Sequence, residues 1–167
     1  MINTTDAPTM RLQLALNVQD IDEAVEFYSK MFDAEPARRR PGYANFAISN
    51  PPLKLVLFEG DEAGTINHLG VETSTATEVV DAESRLTESG LETTGVADTQ
   101  CCFAEKTETW LNGPDGTRWE WYVRTGDSET MENVVLASHD GGEGTACCAP
   151  TAGPIDDAAI DTATVTA

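Results

Sequence analysis

Two rhythms of apolar and polar positions alternate along this chain. "RLQLALNV" (11–18) is rich in apolar residues and reads as a buried strand. Asp20 then offers an N-cap, with Glu23 three residues on as its capping partner. Ile21, Ala24, Val25, Tyr28, Met31 and Phe32 recur at helical spacing, which predicts an amphipathic helix over 21–33. "YANFAIS" (43–49) and "LKLVLFE" (53–59) read as strands separated by the turn "NPP". The same order then returns. "INHLGVE" (66–72) is a strand, and Thr75 with Glu78 forms a capping box. Val79, Val80, Ala82 and Leu86 supply the stripe of a second helix, and Gly90 is its C′ residue. Strand-like pieces follow at 92–97, 101–104 and 107–111. The turn "GPDGT" (113–117) leads into a last strand, "RWEWYVR" (118–124).

The pattern is therefore strand–helix–strands, twice. Aligning "LQLALNV" with "INHLGVE" sets Gln13 opposite His68, and "KLVLF" falls opposite "RWEWY". Residues 1–10 read as a loose leader with neither a basic nor an apolar region, so not as a signal peptide. The domain is expected over 11–125, with modules at about 11–60 and 66–125. After Arg124 the chain carries no Lys or Arg. Residues 126–167 read as an acidic tail rich in Gly, Ala and Thr, disordered over 137–167.

Composition narrows the function. The 167 residues suit one domain, and no apolar run approaches the roughly 18 residues of a membrane helix. A net charge of −19 argues against nucleic acid and anionic membranes, which require a basic surface. It suits a salt-adapted organism, where such surplus charge serves solubility. The cytoplasm is the expected location, where thiols stay reduced.

Candidate chemistry lies in residues that break the patterns. Four cysteines fall as adjacent pairs, Cys101-Cys102 and Cys147-Cys148. Neighbouring Cα atoms are about 3.8 Å apart, whereas a disulfide prefers roughly 4.4–6.8 Å. Such a pair is better suited to sharing one soft metal or metalloid atom, and two small buried neighbours are the bland alternative. Gln13, His68 and Glu120 interrupt otherwise apolar strands. If the two modules curl together, amide, imidazole and carboxylate converge as a non-haem Fe(II) site with open positions. Singly, His68 could be a hydrogen-bonded core residue, Glu120 could sit on a polar face, and Gln13 could face solvent.

"LQLALNVQDIDEAVEFYSKMFDAEPA", "RPGYANFAISNPPLKLVLFE", "NHLGVE", "CCFA" and "GPDGTRWEWY" resemble the vicinal oxygen chelate superfamily. Within it they are most similar to cadmium-induced proteins and arsenic-inducible carbon–arsenic lyases. The resemblance covers 11–124. It implies an α+β fold of two paired βαβββ modules forming a curved mixed sheet around a metal site. It also implies Fe(II) and O2 chemistry that cleaves the C–As bond of trivalent organoarsenicals to arsenite and an aldehyde. The metal ligands then fall on Gln13, His68 and Glu120, and the substrate thiols on Cys101 and Cys102. The fourth ligand position of many relatives falls near Leu55 and Val56, which cannot bind a metal. Two alternatives stand beside the lyase: a protein that sequesters Cd(II) or arsenite without catalysis, and a glyoxalase-type metalloenzyme. Cys147 and Cys148 would collect metalloid in the tail or have no role in turnover. The expected partner is a small organoarsenical or soft metal ion, bound by a monomer or homodimer.

Overall fold

The computed structural model describes residues 10–114 and 116–139. The leader over 1–9 and the pair Cys147-Cys148 lie outside the described residues. Eleven elements follow in order: β1 (Arg11–Val18), α1 (Ile21–Phe32), β2 (Arg38–Arg40), β3 (Tyr43–Ile48), β4 (Leu53–Glu59), β5 (Ile66–Glu72), α2 (Ala76–Glu88), β6 (Ala97–Cys101), β7 (Ala104–Asn112), β8 (Arg118–Asp127) and β9 (Val134–Ser138).

Local chemistry sets the helix ends. The Asp20 side chain accepts from the backbone N–H groups of Asp22 and Glu23, satisfying two donors that α1 leaves open. Thr75 and Glu78 form the reciprocal capping box at the start of α2. At its end Gly90 takes φ +81°. Gly90 N–H bonds Thr87 O at 2.9 Å and Leu91 N–H bonds Leu86 O at 3.1 Å, a Schellman closure.

The nine strands form one sheet in the order β2-β3-β4-β1-β5-β8-β7-β6-β9. β1 and β5 pair antiparallel at its centre. Each is flanked by the last strand of its own module in parallel, β4 beside β1 and β8 beside β5. The two halves therefore repeat one arrangement about the β1–β5 pair. This is the mixed sheet of two βαβββ modules expected from the sequence.

Both helices cover one face. Ile21 and Val25 of α1 pack with Phe46, Leu55 and Leu57, and Val79 of α2 packs with Val96 and Val123. Each such side chain withdrawn from water contributes about 1.5–3 kcal/mol. Strand alternation sends the intervening residues to the opposite face. Register places Gln13 level with Lys54 and Gly70, and Gly70 level with Glu120. Ala15 is likewise level with Val56 and His68. The polar interruptions of the sequence therefore share the face that the helices leave uncovered.

Three readings are corrected. Residues 92–96 are not strand, and β6 begins at Ala97. The stretch 101–104 is not a strand but a hairpin, with Cys102 and Phe103 at its turn. The supposed tail also contributes structure: β8 runs to Asp127, and β9 pairs with β6. All five β9 residues are exposed, so composition carried no burial signal there. No described helix is long and apolar enough to cross a membrane.

Candidate functional site

Gln13 on β1, His68 on β5 and Glu120 on β8 meet at one point. Gln13 Nε2 lies 3.0 Å from His68 Nε2 and donates to Glu120 Oε2 at 2.8 Å, while His68 Nε2 and Glu120 Oε2 are 3.5 Å apart. All three residues are buried. Two ligands at about 2.1 Å from a cation and at right angles stand about 3.0 Å apart. The observed triangle therefore has the size of a facial ligand set. Among the described residues no three His, Cys, Asp or Glu side chains gather in a group that could hold a metal, so a metal set at this point would need the Gln13 amide as its third donor.

The neighbours prepare each donor. His68 Nδ1 lies 2.8 Å from Asn67 Oδ1, which fixes the proton on Nδ1 and turns the lone pair of Nε2 inward. Tyr122 Oη donates to Gln13 Oε1 at 2.5 Å. Gln13 thus presents its NH2 group to the centre, and a half-turn of the amide would present its oxygen. Gly70 makes the approach possible. A Cβ there would stand 3.0 Å from Glu120 O and 3.4 Å from Gln13 Cβ and Nε2.

β7 supplies the electrostatics. Its residues Lys106, Glu108 and Trp110 are level with Arg124, Tyr122 and Glu120 on the same face. Lys106 Nζ donates to Glu120 Oε1 at 2.6 Å and lies 3.7 Å from Glu108 Oε2. Burial alone would push Glu120 up. The Lys106 ammonium and the His68 hydrogen bond outweigh it and hold the carboxyl well below the usual carboxylate range. Glu108 goes the other way. Burial raises it to about 7, opposed by Lys106 and reinforced by the charge of Glu120. Burial also raises Tyr43 to about 12 and Tyr122 well above its ordinary value.

The thiols belong to the β6–β7 hairpin. Cys101 pairs with Ala104, leaving Cys102 and Phe103 as a two-residue loop. Both have positive φ, 54° and 62°. That is the pattern of a type I′ turn, which normally recruits Asn-Gly. Left-handed backbone costs a residue other than glycine about 1–2 kcal/mol. Cys-Phe is thus a costly choice, and Phe103 recovers part of it by packing on Tyr43 at 5.1 Å between ring centroids. Arg38 Nη1 donates to Phe103 O at 2.5 Å and holds the turn.

Cys101 and Cys102 pack with Ala15, Tyr43, Val56, Phe58 and Trp110. Trp110 in turn meets His68 edge-on at 5.1 Å. Cys102, Gln13 and His68 line one cleft. The two Sγ atoms are 2.8 Å apart, close enough to address a single atom. Cys101 is disulfide-bonded, against the expectation of reduced thiols, so the pair acts as a dithiol only after reduction.

Of the two positions weighed for a fourth ligand, Val56 lines the cleft whereas Leu55 packs under α1. Val56 stands level with Ala15 as Glu120 stands level with Gly70, so it occupies the symmetry-related place without a donor atom. Sequence reasoning missed Lys54, Asn67, Gly70, Lys106, Glu108 and Tyr122. A signal existed for β7: "AEKTETWLN" sets five polar residues in a row inside one strand, so whichever face is buried must carry polar side chains inward.

A family model described as the Glyoxalase/Bleomycin resistance protein/Dioxygenase superfamily matches residues 11–121. The cadmium-induced protein CadI of Mycobacterium tuberculosis is 51% identical, over 83% of this chain and 92% of that protein. A trivalent organoarsenical cleaving enzyme of Thermomonospora curvata is 47% identical, over 84% of this chain and 89% of the relative. Among solved structures, a Mn(II)-bound glyoxalase from Novosphingobium aromaticivorans superposes with a TM-score of 0.54 at 16% identity. That superposition covers 73% of this chain and 42% of the glyoxalase.

Proposed function

Because this chain belongs to the glyoxalase/bleomycin resistance protein/dioxygenase superfamily, we propose that it uses Fe(II) and O2 to cleave the carbon–arsenic bond of trivalent organoarsenicals. The observation that carries this reading is one cleft lined by Gln13 and His68 of the Gln13–His68–Glu120 centre and by Cys102 of the Cys101-Cys102 hairpin. The relative named for cleaving trivalent organoarsenicals supports the substrate class.

Gln13, His68 and Glu120 would hold the iron, which supplies the capacity to bind and activate O2. The protein's own residues do the rest. The reduced thiols of Cys101 and Cys102 take arsenic, a soft acceptor, in two As–S bonds, their protons leaving with its two hydroxyls as water. This fixes the As–C bond in the cleft and converts a bimolecular encounter into an oriented one. Asn67 keeps the His68 lone pair directed inward, and Lys106 keeps Glu120 ionised. Val56, Phe58 and Trp110 exclude water from the reacting bond. For a methyl substituent the atoms balance as CH3As(OH)2 + O2 → As(OH)3 + HCHO. Carbon is oxidised and O2 is reduced.

The test is anaerobic loading of the reduced protein with Fe(II), followed by methylarsenite in aerated high-salt buffer. Arsenite and formaldehyde are expected in equal amounts, dependent on iron. Tight thiol-dependent binding with no product would instead identify a sequestering protein. The 51% identical relative named for induction by cadmium favours that second reading. A glyoxalase-type reaction is disfavoured by Val56 in the fourth ligand place.

A further inference from the structure

The chain has 10 Lys and Arg residues against 29 Asp and Glu. Four of the cations, Arg38, Lys54, Lys106 and Arg124, line the same cleft as His68 and Cys102, and no carboxylate is among its lining residues. Carboxylates outside the lining, Asp127, Glu120, Glu108 and Glu72, offset part of this concentration. Arg38 and Arg124 both bind the same oxygen of Asp127, so two guanidinium charges share one carboxylate. Lys106 is engaged by Glu120.

Lys54 is the residue without a local explanation. It stands on β4 level with Gln13 and is half-buried. Its ammonium forms no hydrogen bond or salt bridge with any described residue. Burial pulls it down to about 8. Glu72 opposes, while Arg11, Arg124 and Lys106 add like-charge repulsion. A lysine serving only as surface charge would extend into water. This one is held among other cations, where a negative guest gains from all of them.

Taken with the arsenical reading above, on which this step rests, the charge identifies the substrate. The As(OH)2 group of a trivalent arsenical is neutral near pH 7, and the thiol pair accounts for it. A negative charge must therefore reside on the organic group. We propose that the cleft selects organoarsenicals whose organic group bears an acidic substituent, a carboxylate or sulfonate. Lys54 and Arg124 hold that anion while Cys101 and Cys102 hold the arsenic.

The experiment uses the full-length reduced protein loaded with Fe(II) under argon. Phenylarsenite and 4-carboxyphenylarsenite are titrated by calorimetry into wild type, Lys54→Met and Lys54→Arg. Wild type is expected to bind the carboxylated compound about tenfold tighter, the scale of one charge-assisted contact. The affinity ratio should fall towards one in Lys54→Met, persist in Lys54→Arg and shrink in 1 M salt, where the Debye length is about 3 Å. A wild-type ratio near one, a ratio indifferent to Lys54→Met, or no binding of either compound overturns the proposal. Air is then admitted. A preserved ratio with no arsenite released from either compound refutes the lyase reading and leaves anion selection standing.

Discussion

Lys54 shows how one residue joins stability to recognition. Its charged form is disfavoured in the fold, with a pKa of about 8 against an ordinary 10.5. Between those values the unfolded chain binds the extra proton, so the stability contributed by Lys54 is present above pH 10.5 and lost as pH falls through 8. Lys54→Met is therefore expected to stabilise the protein at pH 7 by about 1–3 kcal/mol. It should also flatten the rise in stability between pH 8 and 10.5, as read by urea denaturation across that range. An unchanged pH profile would mean that the ammonium is solvated. Gln13, His68 and Glu120 were legible in the sequence because a polar letter inside an apolar strand demands a partner. Lys54 was not, because the last four carbons of its side chain fit an apolar strand as well as a solvent edge. The Cys102-Phe103 turn was half legible: the adjacent thiols were conspicuous, but nothing in "CCFA" signals two residues in left-handed backbone.

At the scale of elements, the site exists because three strands approach with no side chain between them. Gly70 on β5 lies level with Gln13 on β1 and with Glu120 on β8. Gly70→Ala would place a methyl group 3.0 Å from Glu120 O, on backbone that cannot easily move aside. Fe(II) affinity is expected to fall about 10–100-fold, while unfolding shifts by no more than about 1–3 kcal/mol. Equal iron binding by wild type and Gly70→Ala would mean that the strands separate without disturbing the donors. Most elements were readable from caps and periodicity. The starts of α1, β1, β4 and β5 follow from Asp20, from "RLQLALNV", from the turn before Leu53 and from the apolar pattern of "INHLGVE". β2 was not readable, since "RRR" has no apolar face and is set by pairing with β3. The stretch 101–104 was misjudged because nothing in "CCFA" marks a hairpin turn, whereas 107–111 does lie within β7.

For the whole molecule, the two-module plan was visible as a repeated order of elements, and the sheet confirms it by repeating one strand arrangement about β1 and β5. What the repeat could not show is its asymmetry: one half contributes Glu120, and the other places Val56 in the corresponding position. The net charge of −19 acts over the entire surface. Raising salt from 0.1 to 1 M shortens the Debye length from about 10 to 3 Å and should raise the melting temperature by several degrees as self-repulsion is screened. A melting temperature independent of salt would show that the carboxylates are too well dispersed to repel. The cations gathered in the cleft give this field two ranges. An approaching anion is turned away at a distance by the acidic exterior and drawn in only at the mouth. Salt should then speed arrival and also hasten departure. The association rate of a carboxylated arsenical would rise with salt and its dissociation rate would rise further, so that faster arrival accompanies weaker binding at a gate built from charge alone.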